Sequence, residues 1–89
     1  MFSAIKIKIL PESPDEELED IEKEAQEKIK EEGGKVSRIE QEPVAFGLKA
    51  IIITLAWPEE KETDLLERIL EDIKGVSSTQ IIDHRRAFG

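Results

Sequence analysis

Eighty-nine residues, 38% of them hydrophobic and 38% charged, with a formal net charge of −8, predict one folded domain spanning 1–89 with a heavily charged exterior, because so short a chain holds a single core. The absence of Cys excludes disulfides, thiolate nucleophiles and thiolate metal sites. No stretch approaches the roughly 18 apolar residues of a membrane span, and "MFSAIKIKIL" is interrupted by Lys6 and Lys8 unlike a signal peptide, so a soluble, cytoplasmic protein without a membrane partner is expected.

Ile5, Ile7 and Ile9 alternate with Lys6 and Lys8, the pattern of a strand with one buried face. Pro11 ends it, and "SPDE" predicts a helix start with Ser13 as N-cap, Pro14 in the first position and Glu16 closing a capping box. Leu18, Ile21, Ala25 and Ile29 then form a narrow apolar stripe on an acidic helix over 14–32, which Gly33 and Gly34 stop. "KVSRIEQEPVA" is a short polar strand running into Pro43 and therefore an edge. Leu48 to Trp57 is nearly all apolar and rich in Ile, as in a central strand. "TDLLERILEDIKG" predicts a second amphipathic helix, with Thr63 as N-cap, Leu65, Leu66, Ile69, Leu70 and Ile73 inward and Gly75 as the stop. "VSSTQIID" is the last strand. The order β-α-β-β-α-β predicts an α+β, ferredoxin-like sandwich, two helices on one face of a four-stranded antiparallel sheet. That fold hosts many activities, so function has to come from sites.

Charge is unevenly placed. Residues 11–32 hold 11 acidic and 3 basic side chains, and the remaining residues hold 10 of each. An acidic surface disfavours binding to nucleic acid, and the first reading of the acidic helix is a solvated face. The open sheet face also lacks aromatics for base stacking, since Phe2, Phe46, Trp57 and Phe88 fall at or near strand ends. Abundant Glu and Lys with no Cys and no Asn lean towards a heat-adapted source.

Catalysis finds little support. Asp83 and His84 are adjacent on a strand and point to opposite faces, so neither orients the other. A lone His with scattered carboxylates lacks metal-ligand spacing, and Gly33-Gly34 follows a helix instead of opening one as a phosphate loop does. Phe46 reads equally as core at a strand start, and Arg85-Arg86 equally as a solvated terminus.

Two stretches, "EPVAFGLKAIIITL" and "GVSSTQIIDHRR", resemble the guanine-nucleotide-exchange domain family of translation elongation factor 1-beta, in its compact archaeal form, over essentially the whole chain. The resemblance implies binding to the GTPase elongation factor 1-alpha and faster release of its GDP, with no bond made or broken by this chain. It also implies no cofactor here, because magnesium and nucleotide belong to the partner, and a monomer when free. The run Ala45–Lys49 matches the family's most specific motif, so Phe46, with Gly47 and Lys49, is the implied contact near the GTPase switch region. Arg86, with Arg85 beside it, falls where relatives carry a lysine that reaches the magnesium and phosphate-loop site. Guanidinium is a planar fork and ammonium a compact charge, so the replacement is not conservative. The rival readings are a dimeric small-ligand regulatory module of the same fold and a structural subunit of a translation complex.

Overall fold

The computed structural model describes residues 1–86. Period-two alternation builds its centre: β1 (Phe2–Pro11) turns Ile5, Ile7 and Ile9 to one side, and all three are buried. The other strands are β2 (Lys35–Pro43), β3 (Lys49–Pro58) and β4 (Val76–Arg86), and they form one sheet in the order β2-β3-β1-β4 with every pairing antiparallel. The helices α1 (Leu18–Glu31) and α2 (Thr63–Glu71) pack on the isoleucine face. Ile21, Ala25 and Ile29 of α1 and Leu66 and Leu70 of α2 join Ile5, Ile7, Ile9, Ile51, Ile53, Leu55 and Trp57 in one core. This is the ferredoxin-like α+β arrangement that the element order predicts. Among the described residues no helix is long and apolar enough to cross a membrane.

The helix ends depart from expectation in ways the local chemistry explains. Residues 13–16 form an isolated turn, in which Glu16 N–H donates to the Ser13 carbonyl at 3.3 Å and Asp15 N–H to Ser13 Oγ at 3.3 Å. Ser followed by Pro favours a β-turn as much as a helix start, and here the Glu12 N–H is also tied to the Gly75 carbonyl at 2.8 Å. The regular helix therefore begins at Leu18 instead of residue 14, with an extended Glu17 in the cap position and no side-chain cap. Its end is as predicted. Gly33, at φ 91°, donates to the Lys30 carbonyl and Gly34 to that of Ile29, the paired bonds of a Schellman stop. In α2, Glu62 takes the cap position that Thr63 was expected to fill, and its carbonyl accepts from Trp57 Nε1 at 3.3 Å. Gly75 does adopt a positive φ of 93°, but α2 has already ended at Glu71 and the glycine closes the turn into β4.

Two strand boundaries also move. The central strand begins at Lys49, and Ala45–Gly47 form a separate 3-10 turn at the tip of the β2–β3 hairpin. The final strand runs well past Asp83, with His84, Arg85 and Arg86 opposite Ile5, Ala4 and Ser3 of β1. Up to Arg86 the basic end of the chain is thus a paired strand and not a frayed terminus. Phe88 lies outside the described residues.

A Cβ on Gly34 would approach Ile29 Cγ2 to 2.7 Å, the Ala56 carbonyl to 3.0 Å and Trp57 Cε3 to 3.2 Å. Gly34→Ala is therefore expected to lose roughly 1–3 kcal/mol by overpacking. Urea unfolding followed by Trp57 fluorescence measures it, and an unchanged midpoint would show that Ile29 and Trp57 yield freely.

Candidate functional site

Residue identity, exposure and backbone conformation disagree most at the hairpin tip. Phe46 is 93% exposed, which removes the reading of it as core. It also has φ 63°, the one positive φ among the described non-glycine residues, and Gly47 follows at φ 74°. The tip is closed behind them by Val44 N–H to the Leu48 carbonyl at 2.8 Å and by Leu48 N–H to the Ala45 carbonyl at 3.3 Å. Lys49, opposite Pro43 in the ladder, is exposed and shares a shallow cleft of about 350 Å³ with Glu16, Glu17, Glu19 and Gln41. Lys49 thus lines the same cleft as the carboxylates at the acidic start of α1, where a helix N-terminus favours negative charge.

At the other end of the sheet the two arginines diverge. Arg85 pairs with Ala4 and so projects from the open face, where it is exposed and meets Asp83 Oδ2 at 3.3 Å. Arg86 pairs with Ser3 on the helix side and lines a cleft of about 250 Å³ with Ser3, Trp57, Glu59, Thr63 and His84. Asp83 and His84 likewise fall on opposite faces, opposite Lys6 and Ile5, so they form no acid-base pair. Among the described residues no group of three or more His, Cys, Asp or Glu side chains is placed to hold a metal ion.

Register brings further cations to the Arg85 end. One row across the open face runs Lys35, Ala56, Ala4, Arg85, and the next runs Arg38, Thr54, Lys6, Asp83. Four basic groups and one carboxylate thus surround a floor of small side chains. Lys6 was legible as outward-facing from alternation alone, but Lys35 and Arg38 were not. A register shift between Val36 and Arg38 puts them on one face although three positions separate them.

The structure does not bring Phe46 and the arginines together. β3 starts beside the tip and ends beside Ser3, and its ten residues span roughly 30 Å at the usual strand rise, within a molecule 40 Å long and about 20 Å across. Phe46, Gly47 and Lys49 form one end, and Arg85 and Arg86 the other. The two sets of implied contact residues therefore lie at opposite ends of the sheet.

Comparison with known proteins is consistent across nearly the whole chain. The family model described as the EF-1 guanine nucleotide exchange domain matches residues 4–86. The protein named Elongation factor 1-beta in Methanothermobacter thermautotrophicus is 43% identical over 81 residues, covering 90% of each chain. Those of the same name in Metallosphaera sedula and Sulfurisphaera tokodaii are each 39% identical over 80 residues, covering 88% of this chain and 87% of theirs.

Because Phe46 lies almost wholly in solvent, its removal is expected to leave stability nearly untouched. Phe46→Ala should shift the unfolding free energy by no more than about 0.5 kcal/mol. Chemical denaturation measures this, and a loss above about 2 kcal/mol would mean the ring packs on the fold after all.

Proposed function

The chain belongs to the EF-1 guanine nucleotide exchange domain family, and on that premise we propose that it promotes exchange of GDP for GTP on elongation factor 1-alpha. The observation that carries the site is Phe46. A folded chain gains nothing by exposing a phenylalanine in a left-handed conformation, whereas a partner pocket that buries the ring gains roughly 1.5–3 kcal/mol. The exchange role needs no bond-making chemistry in this chain and no cofactor of its own, since nucleotide and magnesium are held by the GTPase. The unit is a single domain over 1–89, a cytoplasmic monomer when free, and it contacts neither membrane nor nucleic acid directly.

The mechanism is differential binding. An exchange factor that prefers the nucleotide-free GTPase weakens GDP by the same factor through linkage. A thousandfold faster release corresponds to about 4 kcal/mol of barrier, within reach of two hot-spot contacts of ~2–4 kcal/mol each. With the two ends roughly 30 Å apart, the proposed contacts fall on different parts of the partner. The Phe46 end, with Gly47 and Lys49, is the anchor. The Arg85–Arg86 end supplies the charge that competes with magnesium or grips phosphate, with guanidinium a planar bidentate fork where an ammonium is a compact point charge.

Stopped-flow release of a fluorescent GDP from the cognate elongation factor 1-alpha tests this reading. Acceleration by the intact protein is expected, and its absence at saturation would sink the proposal. Phe46→Ala should lose about thirtyfold or more, the lower end of the hot-spot range of ~2 kcal/mol, and Arg86→Ala a smaller factor. An unchanged rate in Phe46→Ala moves the anchor elsewhere, and one in Arg86→Ala leaves the charge role to Arg85.

A further inference from the structure

Gly47 is a glycine for its torsion and not for space: a Cβ built on it meets nothing within 4 Å, yet its φ is 74°. The preceding Phe46 has φ 63°, and a left-handed conformation in an L-residue costs population. Nothing in the free molecule offsets that cost at the ring, which is 93% exposed. What holds the tip is its frame, the Val44 to Leu48 and Leu48 to Ala45 bonds at 2.8 Å and 3.3 Å. Two successive positive-φ residues between those bonds reverse the chain and set the direction in which the Phe46 Cα–Cβ bond leaves it.

We propose that Gly47 is a positioning residue, and that the left-handed Phe46–Gly47 pair holds the aromatic ring in its partner-competent direction before any partner arrives. The inference rests on the exchange reading for its consequence, but the preformed tip is a property of the free chain. If the competent tip is a fraction of the free ensemble, apparent affinity falls by that fraction while the saturated complex is unaffected. An L-side chain at Gly47 lowers the fraction through its torsion alone, because its Cβ has open space.

Two measurements test this. In the exchange assay, Gly47→Ala should raise the concentration for half-maximal acceleration roughly five- to thirtyfold, the population ratio of an L-residue forced to positive φ. Gly47→Asn should raise it only about two- to threefold, since Asn tolerates the left-handed region, and Gly47→Val more than Gly47→Ala. The rate at saturation should be retained throughout. In the free protein, nitrogen-15 relaxation should give Phe46 and Gly47 amide order parameters close to the rigid-backbone value of about 0.85, falling in Gly47→Ala. Order parameters below about 0.6 in the intact protein would overturn the preformed tip. So would a half-maximal concentration that is the same for Gly47→Ala and Gly47→Val as for the intact protein, or an Asn variant as impaired as Val. An intact protein with rigid tip amides that accelerates no release would end the exchange reading while leaving the tip preformed.

Discussion

Ile7 sits between Ile53 on one side and Ile81 on the other, in a strand hydrogen-bonded along both edges. A shift of β3 by one residue would turn Ile51, Ile53, Leu55 and Trp57 away from the helices and put Ala50, Ile52, Thr54 and Ala56 in their place. Every later feature inherits this register. It sets Trp57 over Ser3 at one end and Lys49 opposite Pro43 at the other, and so decides which residues share each end of the molecule.

What the sequence reveals and what it hides follow from that register. Alternation in β1, the aliphatic run of β3 and the apolar stripes of the helices identify the elements, because burial repeats at the period of the backbone. The boundaries are less legible. Ser13-Pro14-Asp15-Glu16 satisfies a helix start and a β-turn equally well, and the bond from Glu12 to Gly75, made between residues distant in sequence, accompanies the turn. Arg86 could be read as a free terminus only while its partner across the ladder, Ser3, was unknown.

The site shows the same division. The run around Phe46 marks the residue, but no rule of propensity puts an exposed aromatic at positive φ, since propensity alone would put it elsewhere. Separation was invisible as well. Phe46 and Arg86 lie forty positions apart in a chain that folds back on itself five times, and only the strand order shows that they occupy opposite ends. The cationic rows through Lys35 and Arg38 were hidden for a smaller reason, the register shift in an edge strand.

The acidic helix α1 and the cationic rows of the open face lie on opposite sides of one sheet. Separated charge of this kind is an electric dipole across the thin direction of the molecule, and it responds to an outside field by turning as well as by moving. A net charge of −8 alone would predict only attraction or repulsion. The layered arrangement adds a torque, so that a charged partner rotates this domain towards one face while the two are still separated by water, over a range of roughly 8 Å at physiological salt.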